Sequence, residues 1–299
     1  MTDIDALLAR IQQVIPSLEI ADARLIEEGM VNDILVVNDE IVFRFPKNEW
    51  GRKDLAHETR LLAIIRQHGS LPVPEPMMHG VDLASHRLVR GEALTRERLY
   101  RMPLPDRRAA MEDLGRFLRE LHRIPVDDMA GIRASHSVRT IGQWREMYTR
   151  IEDVLFPLLF RHQREAVEAH FAPVLSGEIE TEVAPVLIHG DLAPYHILVD
   201  PESSRLTGVI DFGTAGLGDP ADDIGALLAH LGSDLVGHMR PELPIDAATW
   251  ARARFRAGCL ELEWALIGIR ENDLSMLVAH LGGARDYQPL VSPGQGVQG

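Results

Sequence analysis

A single cysteine, Cys259, occurs in 299 residues, which excludes a disulfide scaffold and a thiolate metal site. Basic residues are also short: 31 Lys and Arg face 45 Asp and Glu, for a formal charge of -14. Such a field repels nucleic acid and anionic membrane surfaces and attracts a cationic small molecule. No run approaches the roughly 18 apolar residues that a membrane span needs. The acidic start Asp3-Ile4-Asp5 lacks the basic head and apolar stretch of a signal peptide. The expectation is a cytoplasmic protein with no internal repeat. With 45% apolar and 25% charged residues, the chain can form one large domain or two lobes around a sizeable core.

Hydrophobic periodicity divides the chain. Ile4, Leu7, Leu8, Ile11, Val14 and Ile15 form a helical stripe that stops before Pro16. From about Arg24 the period shortens. Leu25-Ile26, Ile34-Leu35-Val36-Val37 and Ile41-Val42-Phe43-Arg44-Phe45 read as consecutive antiparallel strands, with a loop around Gly29 and a polar corner at Asn38-Asp39-Glu40. A helix is expected from Asp54 to Gln67, then an extended Pro-rich connector at Leu71 to Pro76, then a strand near His86 to Val89. Arg90-Gly91-Glu92 reads as a hinge. Beyond it the pattern is mostly helical, with Met111, Leu114, Phe117, Leu118 and Leu121 on one face and further helices at Trp144 to Val154, Arg164 to Phe171 and Asp223 to Leu281. The exception is three short apolar runs between Val186 and Ile210.

Those runs frame the densest polar cluster, His189-Gly190-Asp191-Leu192-Ala193-Pro194-Tyr195-His196, followed by Asp211-Phe212-Gly213. The polar groups fall at strand ends, where a rigid scaffold presents reactive side chains. Asp191 has no basic neighbour in sequence and can accept a proton from an alcohol. His196 and Asp211 offer one nitrogen and one oxygen to a shared divalent cation. A polyphosphate substrate would need that cation, because a negative charge about 4 Å from a carboxylate costs on the order of 4 kcal/mol at an effective dielectric near 20.

With His196 five positions after Asp191 and Asp211-Phe212-Gly213 downstream, the sequence resembles the kinase-like antibiotic phosphotransferases. The runs Glu28-Gly29 to Asn32-Asp33, Val42 to Lys47, Leu71 to Pro76 and His189 to Val199 narrow the resemblance to the aminoglycoside 2''-phosphotransferases. It covers most of the chain. The resemblance implies an α+β, protein-kinase-like two-lobe fold, with a small antiparallel-sheet lobe over residues 1–90 that binds nucleotide. A larger, mostly helical lobe over residues 91–299 would carry catalysis and a helical substrate subdomain. It implies ATP or GTP as donor, magnesium as cofactor, an aminoglycoside-like cationic acceptor and a monomeric enzyme with no nucleic-acid or membrane partner.

Position by position, the resemblance makes Asp191 the residue that orients and deprotonates the acceptor hydroxyl. Asp211 and His196 become magnesium ligands, His196 standing where protein kinases use Asn, and His189 braces the loop. Arg44 and Glu58 fall on the family's ion pair beside the phosphates, with Arg in place of the protein-kinase Lys. Lys47 is a second candidate phosphate contact. The Gly29 loop, with one glycine, would cover the nucleotide less tightly than a Gly-rich loop.

Other readings stand beside these. Asp219-Pro220-Ala221-Asp222-Asp223 suits a helix start, and one of its carboxylates can instead buttress the catalytic loop. Glu261, Glu263, Glu271 and Asp273 with Trp264 suit a polycation or a solvated acidic face equally. A macrolide or metabolic alcohol is an alternative acceptor. A metal-dependent hydrolase using His189, Asp191, His196 and Asp211 as direct ligands is a different class, as is a nucleotide-binding scaffold without catalysis.

Overall fold

The computed structural model describes residues 3–26, 31–273 and 275–277. Helix α1 (Ile4–Val14) starts where the Asp3 side chain accepts the backbone N–H groups of Asp5 and Ala6, and its stripe buries Leu7 and Ile11. Strands β1 (Ala23–Ile26), β2 (Asn32–Val37) and β3 (Ile41–Pro46) follow as a meander. Asn38 and Asp39 turn the chain between β2 and β3 at φ 53° and 51°, the left-handed backbone that tight hairpins demand.

Helix α2 (Glu49–His68) begins five residues before the Asp54 start expected from periodicity, because the Asn48 side chain caps it by accepting Gly51 N–H. Strands β4 (Met77–Met78) and β5 (Ala84–Arg87) complete an antiparallel sheet in the order β1-β2-β3-β5-β4. Strand β5 lies two residues earlier than the hydrophobic pattern suggests. Its place is fixed by pairing with β3, Ala84 opposite Arg44 and Arg87 opposite Ile41.

After the Arg90-Gly91 stretch, β6 (Glu92–Ala93) leads into α3 (Arg96–Arg101), α4 (Leu104–His122), α5 (Ile141–Arg150) and α6 (Arg161–Leu175). The helix expected over Trp144 to Val154 widens into a π turn at Ile151–Leu155. Then come β7 (Val186–Ile188), β8 (Ile197–Val199), β9 (Leu206–Val209) and β10 (Gly216–Gly218), and finally α7 (Ala221–Leu231), α8 (Ser233–Gly237) and α9 (Ala247–Arg270). Strand β8 lies between β6 and β9, and β7 pairs with β10.

Three apolar clusters hold this α+β, two-lobe arrangement together. Leu7 and Ile11 of α1 pack with Leu35, Val37, Phe43, Phe45 and Leu83 in the small lobe. The largest cluster joins α4 and α7 to the strands around residue 190, and it also contains Leu61, Leu62 and Ile65 of α2. Helix α2 is therefore rooted in the core of the large lobe while it lies beside the small sheet. Trp144, Met147, Val167, Phe171, Phe255 and Leu262 form a third cluster among α5, α6 and α9. No helix among the described residues is long and apolar enough to cross a membrane.

Candidate active site

The short strands β7, β8 and β9 set the site, because their ends carry its polar residues. The loop from His189 to His196 joins β7 to β8, and Asp211 stands two residues past the end of β9. His189 is fully buried. Its Nδ1 accepts the N–H of Asp191 at 3.3 Å, so Nε2 carries the proton and donates to Ile210 O at 3.0 Å. Nδ1 thus braces its own loop, and Nε2 joins it to the loop that carries Asp211. Phe212 packs on the same ring with centroids 4.6 Å apart. Gly190 sits at φ +80°, where a Cβ would overlap Ser135 Oγ.

His196 is likewise oriented. Its Nδ1 donates to Asp191 O at 2.8 Å, which aims Nε2 at Asp211 Oδ2, 3.3 Å away. Burial works against a charged His196, but the hydrogen bond to Asp211 and the charge of that carboxylate raise its pKa. Asp211 moves the opposite way. Burial opposes its charge, yet His196 and the more distant Arg44 hold it well below the usual carboxylate range. Over half of the Asp211 side chain remains open to solvent, so that desolvation is partial; the residue adopts φ 65°, a conformation that costs a residue with a side chain on the order of 1 kcal/mol.

A neutral imidazole nitrogen and a carboxylate oxygen facing each other at this distance need a proton or a cation between them. The Asp211 carboxylate fits magnesium, which takes one or two protein ligands and completes its shell with phosphate oxygens and water, while the His196 nitrogen is a softer ligand than an amide oxygen. Among the described residues no group of three or more His, Cys, Asp or Glu side chains is arranged to hold a metal ion.

The wall contributed by the small lobe carries Arg44 on β3 and Glu58 on α2. Arg44 Nη1 meets Glu58 Oε1 at 2.7 Å, and Glu58 is 1% exposed. Burial disfavours the charged guanidinium, but Glu58, Asp211 and Asp54 together raise its pKa. The structure therefore brings Arg44, Glu58, Asp191, His196 and Asp211 into one neighbourhood. Lys47 Nζ lies 3.4 Å from Asp33 Oδ1 on β2. Gly29 and the loop expected around it lie outside the described residues.

Asp223, one of five residues read as a helix start, is the buttress of the loop. Its buried carboxylate accepts His189 N–H at 3.1 Å, Gly190 N–H at 2.9 Å and His122 Nε2–H at 3.0 Å. Asp219, one residue before the Pro220 cap of α7, accepts Ala221 N–H and also binds Arg252 Nε at 2.7 Å. Asp222 receives Ser137 Oγ–H and pairs with Arg256. Burial pushes its carboxyl up to about 7 against the opposing pull of Arg256.

The acidic patch on α9 and beyond is largely consumed by local partners. Glu263 binds Arg139 at 3.2 Å, Glu271 binds Arg270 at 2.7 Å, and Asp273 accepts Met276 N–H. His230 of α7 feels the charges of both Asp191 and Glu261, although burial dominates and lowers its pKa. Its ring meets that of the exposed Tyr195 at 6.2 Å, and Tyr195 meets His196 at 4.4 Å. Tyr195 and His230 thus flank Asp191. Sequence reasoning missed His230 and His122, because a lone His on an apolar helix carries no local signal.

The profile of the phosphotransferase enzyme family, APH, matches residues 22–257. The chain belongs to this family. Among curated relatives of this phosphotransferase-family chain is the viomycin phosphotransferase of Streptomyces vinaceus, 29% identical over 164 residues. That alignment covers 53% of the chain and about half, 55%, of the relative. An aminoglycoside 3'-phosphotransferase of Streptomyces fradiae is 29% identical over 215 residues, covering 71% of the chain and 72% of the relative. Among solved structures, the GDP complex of wild-type aminoglycoside 2'-phosphotransferase-IIIa superposes with TM-score 0.84 at 24% identity, covering 95% of this chain and 99% of that one. A macrolide 2'-phosphotransferase from Brachybacterium faecium gives 0.71 at 22% identity, covering 94% and 98%. At such identities the superpositions establish the kinase-like fold of the family.

Proposed function

We propose that this chain transfers the terminal phosphoryl group of a nucleoside triphosphate, ATP or GTP, to a hydroxyl of an aminoglycoside-like cationic antibiotic. The observation that carries the reading is the convergence of Asp191, His196 and Asp211 on one loop pair, with Arg44 close enough to act electrostatically on Asp211. Relatives named for viomycin and aminoglycosides and a formal charge of -14 support a cationic acceptor.

In this reading Asp191 aligns the acceptor hydroxyl and takes its proton as the oxygen attacks phosphorus. His189 and Asp223 hold the backbone that carries Asp191. Arg44, kept charged and oriented by Glu58, faces the phosphates, with Lys47 as a second contact. His196 and Asp211 would hold magnesium, whose positive charge offsets that of the phosphates. Tyr195 offers an aromatic face to a sugar or cation beside Asp191.

We place the division between lobes near residue 90, with 1–90 binding nucleotide and 91–299 carrying catalysis and the acceptor. The change of sheet between β5 and β6 supports it. We read the protein as a monomer of the cytoplasm, where its nucleotide donor is a metabolite.

A second reading keeps the chemistry and exchanges the acceptor for a macrolide or metabolic alcohol. The engagement of Glu263, Glu271 and Asp273 by local partners favours it. A metal hydrolase with four direct ligands is disfavoured, because both nitrogens of His189 are committed to backbone groups. The test is nucleotide consumption with ATP and GTP against aminoglycosides, viomycin, macrolides and simple amino alcohols, with the product weighed by mass spectrometry. An aminoglycoside carrying one added phosphoryl group supports the first reading. Consumption without any phosphorylated acceptor overturns it.

A further inference from the structure

Helix α2 presents three polar side chains, Asp54, His57 and Glu58, at spacings that share one helical face. All three are nearly buried, at 5%, 4% and 1% exposure. Glu58 reaches the small lobe through Arg44. The other two reach the large lobe. Asp54 Oδ1 lies 2.5 Å from Arg133 Nη1 and 3.6 Å from His136 Nε2, and Arg133 and the Ala215 backbone act electrostatically on His57.

Arg133 belongs to a segment that grips the loop following Asp211. Its Nη2 donates to Gly213 O at 3.3 Å. Ser135 Oγ–H and His136 N–H donate to Thr214 O at 2.7 and 3.3 Å. Leu217 N–H donates to Arg133 O, and Ser135 N–H donates to Leu217 O, each at 2.9 Å. A side chain at Gly216 would strike the backbone of Arg133 and Ser135, so the two segments lie in direct contact. One guanidinium thus ties α2, which orients Arg44 through Glu58, to the carbonyl two residues beyond Asp211.

We propose that Asp54 and Arg133 are positioning residues for phosphoryl transfer, fixing α2 against the Asp211 loop so that Arg44 and Asp211 address the same phosphates. This inference rests on the functional reading above. Neither residue needs to touch substrate. The nearly buried Asp54 requires a cationic partner in any case, so a purely structural pair is the competing explanation. The two explanations part at Arg133→Lys. A lysine ammonium can satisfy Asp54 as a point charge, but it lacks the planar fork that lets one side chain serve Asp54 and Gly213 O together.

The experiment compares the unchanged protein with Asp54→Asn, Arg133→Gln, the double variant and Arg133→Lys. It reads urea stability, titration of magnesium-ATP and magnesium-GTP by calorimetry, and steady-state kinetics with the acceptor found in the screen. Positioning predicts that Asp54→Asn and Arg133→Gln each weaken nucleotide binding about 10-fold, with the acceptor KM changed less than about 2-fold. The double variant should be no worse than the poorer single variant, as coupled residues require. Arg133→Lys should recover stability but not nucleotide affinity.

If Arg133→Lys restores both, or if the folded single variants bind nucleotide like the unchanged protein, the pair is structural and the proposal is overturned while the functional reading stands. If the unchanged protein itself binds neither nucleotide, the functional reading fails and takes this inference with it. Should either single variant fail to fold, Arg133→Lys alone decides.

Discussion

Replacing Asp223 by Asn tests the loop geometry with almost no change in shape. One carboxylate oxygen accepts Gly190 N–H, and the other accepts both His189 N–H and His122 Nε2–H. An amide has one oxygen and one NH2 group, so either orientation sets NH2 against at least one backbone N–H. The site is fully buried, and water cannot repair the mismatch. Leaving a buried donor unpaired costs about 1–3 kcal/mol, and charge-assisted bonds are roughly twice as strong as neutral ones. A loss of about 3 kcal/mol in urea stability follows. Because Gly190 adjoins Asp191, the freed amides shift the carboxylate that we propose aligns the hydroxyl, and a displacement near 1 Å lowers turnover about 100-fold. Urea titration and kcat measured on the same preparation check this. An Asn variant with unchanged kcat and stability within about 0.5 kcal/mol would refute the assignment of Asp223 as the buttress.

Arg44→Ala leaves Glu58 buried without its partner and should cost about 3 kcal/mol of stability while raising the nucleotide KM. Arg44→Lys should lose much less stability, and equal losses in the two variants would argue against the pairing. His170 is held neutral by burial, its pKa lowered from 6.5 to about 4 despite Nε2–H donating to Phe255 O. The unfolded chain therefore binds a proton first as pH falls, and stability is lost between about pH 6.5 and pH 4, by at most about 3 kcal/mol. His170→Phe should flatten that part of the pH profile, and parallel profiles for the two proteins would contradict it.

Much of the fold is legible in the sequence where local pattern and tertiary demand agree. The β2–β3 hairpin shows in its alternation and in Asn38-Asp39, and α4 shows in the stripe from Met111 to Leu121. Boundaries set by side-chain caps or by pairing are harder to read. Asn48 starts α2 over a stretch, Glu49 to Lys53, that has little apolar periodicity, and polar Ser85-His86 joins the sheet only because β3 offers an edge. In the site, Asp191, His196 and Asp211 are visible because one short segment and its neighbour carry them. Asp223 was legible as a helix-start residue, but its grip on two amides depends on a fold bringing residues 189 and 223 together. Arg133, Ser135 and His122 lie far from the loops they hold, and nothing local marks them. The acidic residues on and just after α9 invite a polycation by count alone, whereas Arg139 and Arg270 take up Glu263 and Glu271.

The central claim divides the labour between two aspartates, and calorimetric titration of magnesium-nucleotide into Asp191→Ala and Asp211→Ala, with acceptor turnover measured alongside, tests it most directly. Asp191→Ala should bind nucleotide within about 3-fold of the unchanged protein while turnover drops about 1,000-fold. Asp211→Ala should weaken binding by at least about 10-fold. Near-normal turnover in Asp191→Ala, or unimpaired nucleotide binding in Asp211→Ala, would contradict the account.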